Sequence, residues 1–269
     1  KLMRRAKRGV HCLFHALLFS FLFAHADQPT LTDYTMRMKK AGAFVLDRPD
    51  TISLEKPLPI VIILHGCSGV KQVEATYAEI ANAAGWVSLI VDSLSVRGIN
   101  DQITAKALVC SSIGVSGQDR AKDILAAIEY VSQEPDIDVS KVALVGFSHG
   151  GWAVLDFLSG APGDAGLHWT GLKDSSLKRP EILGAFVNYP YCMHPARSVK
   201  LKSLASNTPV QMILASNDKI TFSTPCRRLS KVLQAKDAPI KCRILKGATH
   251  AFDEKAHDGK IFGRTRYHA

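Results

Sequence analysis

The segment Val142-Ala-Leu-Val-Gly146-Phe-Ser148-His-Gly150-Gly151 decides the fold. Its first four residues are apolar and predict a buried strand, and a G-x-S-x-G pattern follows directly, with an apolar helical stretch beyond it. A strand that turns at once into a helix leaves no room for side chains beside the serine, which accounts for Gly146 and Gly150. Such a turn projects the Ser148 hydroxyl above the sheet edge, and the helix N-terminus adds a favourable dipole. We therefore predict that Ser148 is a nucleophile; the alternative is a glycine-rich turn with an incidental serine.

A serine hydroxyl needs a base to react at neutral pH, and candidates for the base and its acidic partner follow later in the chain. Asp218 comes after the apolar stretch Val210–Ala215, and His250 comes after Ile240–Leu245. Both stretches predict strands, and α/β sheets place their ligands at the carboxyl ends of strands. We expect His250 to transfer the proton and Asp218 to orient the imidazole. Taken singly, each residue also fits a structural role: His250 as a surface histidine in a loop, and Asp218 as a helix or turn cap.

A second glycine-containing loop follows an earlier strand. The run Ile60–Leu64 predicts a buried central strand, and His65-Gly66-Cys67-Ser68-Gly69 comes directly after it. An oxyanion hole needs two backbone N–H donors, one from the residue after the nucleophile and one from such a loop. We predict the amides of His149 and Cys67 in these roles. The Cys67 thiol is interpreted as a small filler under the loop, and His65 as structural.

Strand and helix patterns alternate along the rest of the chain, which is typical of a parallel sheet covered by helices. Strands are predicted at 60–64, 86–91, 142–145, 182–187, 210–215 and 240–245, and helices at 74–84, 117–131, 152–158 and from 225 onward. The helix from 117 begins with a capping-box pattern at Ser116. Residues 161–181 predict a long loop, such as a lid. The fold class is therefore α/β, with a mostly parallel central sheet and helices on both faces.

These motifs together resemble the dienelactone hydrolase family of α/β-hydrolases. The resemblance rests on the 65–69 loop, the Ser148 elbow, Asp218 and Thr249-His250-Ala251-Phe252-Asp253, and it covers nearly all of the chain after residue 26. It implies an ester or lactone hydrolase that works through an acyl-enzyme. Cytoplasmic members use a cysteine nucleophile, so this chain is more similar to exported serine members. Members usually end in a helix packed on the sheet, and we expect that C-terminal helix to be missing here.

Three further residues are candidates for the substrate pocket. Arg97 follows the predicted strand at 86–91 and would meet an acidic group of a substrate, or alternatively be a loop arginine in a salt bridge. Tyr189 and Tyr191 follow the predicted strand at 182–187. They would wall the acyl pocket or pack against neighbouring elements.

The positive charge of the chain is concentrated at its N-terminus. The 269 residues carry a formal charge of +10. Residues 1–26 combine five positive charges, no acidic residue, an apolar run and a final Ala24-His-Ala26. This predicts a signal peptide cleaved after Ala26, one α/β-hydrolase domain at 27–269 and a periplasmic or secreted protein. The alternative is a membrane anchor, but a helix that spans a membrane needs roughly 20 apolar residues and this run is shorter. The remaining +5, without a basic block, predicts no nucleic-acid partner.

Six cysteines are present, and five of them remain after residue 26. Because five is odd, at least one stays unpaired within the chain, and we expect this to be Cys67, in its tight loop. The other four allow three pairings that the sequence leaves open: Cys110, Cys192, Cys226 and Cys242. The absence of C-x-x-C and H-E-x-x-H motifs predicts no metal site, and the predicted chemistry needs no cofactor.

Two classes of function fit these patterns. The first is a serine hydrolase for a small-molecule ester or lactone, with a peptidase and a polyester or lipid esterase as alternatives on the same fold. The second is a binding protein that retains the fold without catalysis, since fold does not imply function. The ordered set Ser148, Asp218 and His250 favours catalysis.

Overall fold

The computed structural model describes residues 28–50, 56–161, 166–173 and 177–254. The predicted signal peptide and the C-terminal end, where we expect a missing helix, lie outside these ranges. Within the described ranges no helix has both the length and the apolar composition to cross a bilayer.

In the part of the chain that the structure describes, seven strands form one sheet in the order β1-β3-β2-β4-β5-β6-β7. Only β1 is antiparallel to its neighbour, and the other pairs are parallel. The chain runs from β2 outward to β3 and then places β4 on the other side of β2. This reversal lies between the carboxyl ends of β2 and β4, where open α/β sheets bind their ligands. The strands are β1 (Phe44–Asp47), β2 (Leu58–Leu64), β3 (Val87–Val91), β4 (Ile137–Phe147), β5 (Gly184–Asn188), β6 (Val210–Ala215) and β7 (Ile240–Leu245).

The helices are mostly amphipathic and cover the sheet. A single turn, α3, passes directly into a π-helical turn at Ala105–Cys110. The capping box at the start of α4 is confirmed, because the Ser116 hydroxyl accepts from the Asp119 amide and the Asp119 carboxylate accepts from the Ser116 amide. The helices are α1 (Leu31–Lys40), α2 (Gln72–Ala83), α3 (Gln102–Thr104), α4 (Gly117–Val131), α5 (His149–Leu158), α6 (Arg197–Leu201) and α7 (Ser223–Gln234).

The central strand β2 is buried on both faces, which is why it is a continuous apolar run. Ile62 and Leu64 face a core layer with residues of α1, α4, α5 and α7. Ile63 faces the opposite layer with Val73 and Ala78 of α2. The predicted fold class, a mostly parallel sheet with helices on both faces, is confirmed.

Several elements differ from the predicted ones. The predicted strands at 210–215 and 240–245 coincide with β6 and β7, whereas β4 begins five residues earlier than predicted. The helix α1 and the antiparallel edge strand β1 were not predicted. In the predicted 161–181 loop, the described residues form a 3-10 turn at His168–Thr170 and a bridge between Gly166 and Lys178. Its role as a lid stays a prediction.

Two disulfides correct the cysteine prediction. Cys67 bonds to Cys110, and Cys192 bonds to Cys226, which leaves Cys242 as the free thiol among the described residues. The expectation that Cys67 is unpaired was wrong because the π-helical turn after α3 folds back over the 65–69 loop and brings Cys110 to it. That contact joins segments 43 residues apart in sequence.

Candidate active site

Ser148 lies at the junction of β4 and α5. Its backbone has φ 50° and ψ −112°, a left-handed conformation that non-glycine residues rarely adopt. A Cβ on Gly146 would lie 2.6 Å from the Gly150 carbonyl oxygen, and one on Gly150 would lie 2.2 Å from the Leu64 carbonyl oxygen. The two glycines of G-x-S-x-G therefore allow the helix start to pack directly on the backbone of β2, and the serine is held at a sharp turn.

The structure brings Ser148, His250 and Asp218 together at the carboxyl edge of the sheet. His250 Nε2 lies 3.0 Å from Ser148 Oγ, and His250 Nδ1 lies 2.8 Å from Asp218 Oδ2. All three residues are buried, between 6% and 8% exposed. The ionised carboxylate accepts the Nδ1–H bond, which leaves Nε2 as the acceptor for the serine hydroxyl. This is the order of contacts that the sequence predicted.

Asp218 is held as a carboxylate by several donors. Its Oδ1 accepts from the amides of Ile220 and Thr221 at 2.8 and 2.9 Å, and its Oδ2 accepts from the Thr221 hydroxyl at 2.8 Å. Burial raises the pKa of Asp218, but the hydrogen bond and charge of His250, together with these donors, outweigh burial and leave the pKa below its usual value. The carboxylate is therefore ionised at neutral pH beside the imidazole.

The loop predicted to supply an oxyanion donor runs beside the nucleophile. A Cβ on Gly66 would lie 3.7 Å from Ser148 Cβ. The loop is held from outside by the Cys67–Cys110 disulfide and by Gln102, whose amide donates to the Ser68 carbonyl at 2.8 Å. On the other side of the serine, His149 is the first residue of α5, where backbone N–H groups have no intrahelical acceptor. Both elements that carry the predicted donors thus border Ser148.

Arg120 is a buried residue that the sequence analysis missed. It is 0% exposed, and its guanidinium lies 3.2 Å from His149 Nδ1 and 2.9 Å from the His65 carbonyl oxygen. The sequence contains a pattern that indicates this burial, because Arg120 lies four residues before Ile124, on the apolar face of α4. An arginine in a helix is usually solvated, so that position was not recognised.

Asp253, at the end of the 249–253 segment, is a structural anchor and not a second acid of the site. It accepts from the hydroxyls of Tyr189 and Tyr77 at 2.6 and 3.1 Å and from the Asn188 amide at 3.1 Å. Burial raises the pKa of Asp253 against the lowering effect of these donors. The network ties the turn after His250 to β5 and α2, and so fixes the backbone that carries the imidazole.

The predicted pocket residues are corrected in part. Arg97 donates to Asp123 at 2.9 Å and to the Ser93 carbonyl at 2.6 Å, so its guanidinium is committed to a buried salt bridge and not to a substrate. Tyr189 is 1% exposed and packs its ring against His250, with centroids 4.8 Å apart, so it supports the imidazole instead of walling an open pocket. Tyr191 is half-buried beside Trp152 and stays a pocket candidate.

The described part of the chain contains no group of three or more His, Cys, Asp or Glu side chains arranged to hold a metal ion.

Two curated proteins match part of the chain. Acylamino-acid-releasing enzyme 2 of Oryza sativa subsp. japonica is 32% identical over 107 residues, which is 39% of this chain and 13% of that protein. Acylamino-acid-releasing enzyme 1 of the same organism is 30% identical over 112 residues, again 39% of this chain and 13% of that protein. The matched part of this chain therefore spans about an eighth of the length of these relatives.

Solved structures share the fold at low sequence identity. A Klebsiella pneumoniae protein described as a dienelactone hydrolase has a TM-score of 0.63 and 17% identity, covering 84% of this chain and 85% of that chain. Butyrate-bound esterase 2 of Thermogutta terrifontis has a TM-score of 0.55 and 14% identity, covering 78% and 80%. The model of the dienelactone hydrolase family matches residues 45–269. The chain therefore belongs to the dienelactone hydrolase family.

Proposed function

We propose that the protein cleaves an ester or lactone bond of a small molecule through an acyl-enzyme formed on Ser148. The observation that carries the proposal is the buried hydrogen-bonded series Asp218–His250–Ser148, with distances of 2.8 and 3.0 Å. A nucleophile, a base in contact with it and a group that orients the base are the parts that acyl transfer requires. Membership of the dienelactone hydrolase family supports the substrate class.

In the first half-reaction, Ser148 Oγ bonds to the substrate carbonyl carbon while His250 Nε2 takes the hydroxyl proton. The carbonyl electron pair moves onto oxygen and gives a tetrahedral oxyanion. When the intermediate collapses, the bond to the alcohol oxygen breaks and the alcohol leaves with the proton from His250. Water then attacks the acyl carbon in the same way, and the acid is released with Ser148 regenerated.

Asp218 has two roles in this scheme. Its hydrogen bond fixes the His250 tautomer that leaves Nε2 free to accept the serine proton, and its charge stabilises the imidazolium that forms. The donors from Ile220 and Thr221 keep the carboxylate ionised and correctly oriented. Replacing Asp218 with Asn should lower kcat by about 10³- to 10⁴-fold with little change in KM, since an amide facing Nδ1 favours the wrong tautomer.

The developing oxyanion would be stabilised by the backbone amides of Cys67 and His149. Support comes from the position of their two segments on either side of Ser148, and from the start of α5, whose dipole favours negative charge at this point. Tyr191, which borders the elbow through its amide and the Ser148 carbonyl at 3.4 Å, would line the acyl side of the pocket.

A peptidase is a second candidate, because the two curated relatives, with local identities of 32% and 30%, release acylated amino acids by name. The same three residues serve amide bonds as well as esters. Parallel assays with p-nitrophenyl butyrate and with an N-acetylated amino acid p-nitroanilide separate the two. Faster turnover of the ester supports the esterase, and faster turnover of the anilide supports the peptidase. Triglyceride and polyester substrates in the same panel test the alternative that the protein is a lipid or polyester esterase.

The direct test is Ser148→Ala assayed with p-nitrophenyl butyrate. We expect kcat to fall by about 10⁴-fold or more, while thermal stability is retained. Ser159→Ala is the matched control, since Ser159 is a buried serine at the opposite end of α5 and donates only to the Asp156 carbonyl. Equal turnover by Ser148→Ala and wild type would refute Ser148 as the nucleophile, and no turnover by the wild type would favour a binding protein.

We also infer that the chain is exported, with residues 1–26 removed after Ala26. The two disulfides support this inference, because such bonds persist mainly in oxidising compartments. Mass spectrometry of the periplasmic and culture fractions should find a mature protein that begins at Asp27. A cytoplasmic protein that retains residues 1–26 would contradict the inference.

A further inference from the structure

The buried guanidinium of Arg120 is an electrostatic anomaly. A charge removed from water costs several kcal/mol unless it is well paired, yet no carboxylate in the described ranges forms an ion pair with Arg120. Its two hydrogen bonds go to neutral acceptors, and its Nε has no partner among the described residues. Burial lowers the pKa of Arg120 to about 10, so the group is still a cation at neutral pH. Fold stability alone gives little reason for a cation at this position.

The two acceptors of Arg120 belong to the two segments that flank Ser148. One is Nδ1 of His149, whose backbone amide follows the nucleophile. The other is the carbonyl of His65, two residues before Cys67 in the 65–69 loop. A single planar guanidinium therefore spans the segments that carry both proposed oxyanion donors. Arg is suited to this task because its donors have a fixed geometry, whereas the Lys ammonium is a point charge on a flexible chain.

The remaining contacts of these two histidines fix both segments further. His149 donates from Nε2 to the Val115 carbonyl at 3.0 Å, which leaves Nδ1 unprotonated to accept from Arg120. His65 accepts at Nε2 from the Ser93 amide at 3.1 Å and donates from Nδ1 to the Gly66 carbonyl. Burial first, and then the charge of Arg120, lower the pKa of both histidines, so both rings are neutral. The network has one arrangement of donors and acceptors at neutral pH.

We propose that Arg120 is a positioning residue that holds the two amide donors of the oxyanion hole at their working separation. The inference rests on the proposed function, because it assigns these amides to the oxyanion. Arg120 acts through His149 and the His65 carbonyl and does not itself touch the substrate. Its contribution is therefore expected in the tetrahedral intermediate, where the oxyanion is formed, and not in the binding of the planar ester.

The test compares Arg120→Met and Arg120→Lys with wild type, using p-nitrophenyl butyrate as substrate. Two inhibitors report on the site: trifluoromethyl propyl ketone, which forms a tetrahedral oxyanion adduct with Ser148, and butyramide, which binds as a planar ground-state mimic. For Arg120→Met we expect kcat to fall by about 10- to 100-fold, because an oxyanion donor displaced by a fraction of an ångström loses much of its effect. The Ki of the ketone should rise by a similar factor, and the Ki of butyramide should change little. Arg120→Lys should rescue only part of the loss.

Arg179→Met is the matched control, because Arg179 also bonds to two backbone carbonyls, those of Phe157 and Ser159 at the far end of α5. Its loss should leave both inhibition constants unchanged. The inference is wrong if Arg120→Met stays within about threefold of wild type in kcat, or if its kcat falls while the Ki of the ketone does not rise. A wild-type protein that neither hydrolyses the ester nor binds the ketone refutes the proposed function instead.

His149→Leu provides an independent variant if Arg120→Met does not fold. It removes the acceptor of Arg120 but keeps the backbone amide of residue 149. We expect it to weaken ketone binding by about 10-fold or more with butyramide binding unchanged, and an unchanged Ki for the ketone overturns the inference. Where Arg120→Met folds, the loss in the double variant should be smaller than the sum of the two single losses, because both changes remove the Arg120–His149 contact. Fully additive losses contradict the inference.

Discussion

Replacing Gly150 with Ala tests the packing that holds the nucleophile. The added Cβ would lie 2.2 Å from the Leu64 carbonyl oxygen and 2.6 Å from that of His65. Ordinary contact begins near 3.4 Å, so the start of α5 and the end of β2 must separate by about 1 Å. Both neighbours are backbone atoms, which cannot rotate away. That shift would move Ser148 relative to the 65–69 loop, the pair of elements on which the proposed chemistry depends.

We expect Gly150→Ala to lower kcat/KM for p-nitrophenyl butyrate by about 100-fold, the typical effect of a 1 Å misplacement of reacting groups. Overpacking of this kind should also cost about 1–3 kcal/mol of stability, measured by urea unfolding. Gly184→Ala is the control, because its Cβ would lie 3.7 Å from the Pro209 carbonyl oxygen, an ordinary contact. Full activity and unchanged stability in Gly150→Ala would refute the claim that close packing at the turn between β4 and α5 positions Ser148.

Two further predictions concern stability and redox state. Burial, opposed by the Lys71 amide, raises the pKa of Glu74 from 4.5 to about 7, so the folded state binds more protons than the unfolded state between these values and stability falls as pH rises through them. The free energy of unfolding of Glu74→Gln, relative to that of wild type, should therefore rise by up to about 3 kcal/mol between pH 5 and pH 8. If urea unfolding gives the same difference between the two proteins at both pH values, the reasoning is wrong. Mild reduction should open Cys67–Cys110 before the buried Cys192–Cys226 pair, because Cys110 is exposed, and esterase activity should fall with it. Mass spectrometry after alkylation follows the order, and first opening of Cys192–Cys226 would contradict it.

Much of the candidate site is predictable from the sequence because its geometry is set by the sheet. Parallel strands end at one edge, so residues that follow β4, β6 and β7 must lie near one another, and Ser148, Asp218 and His250 do. The buried strands were recognisable as continuous apolar runs. The short edge strand β1 was not, because its alternating exposure and four-residue length give a weak pattern.

The remaining differences arise from contacts between segments that are distant in sequence. The pairing of Cys67 depends on where the turn after α3 folds, and local spacing contains no information about that. The salt bridge of Arg97 is also a contact between distant segments, since its partner Asp123 lies on a different element. The role of Arg120 was also hidden, because its acceptors are a backbone carbonyl 55 residues away and a histidine 29 residues away.

The central claim is that Ser148 is the activated nucleophile, and covalent labelling tests it most directly. The folded protein would be treated with a fluorophosphonate at neutral pH, digested with trypsin and analysed by mass spectrometry. Cleavage after Lys141 and Lys173 gives the peptide 142–173, which contains both Ser148 and Ser159. We predict a single adduct on Ser148 that is lost on unfolding and prevented by excess p-nitrophenyl butyrate. No adduct, or an adduct on another residue with Ser148 unmodified, would contradict the account.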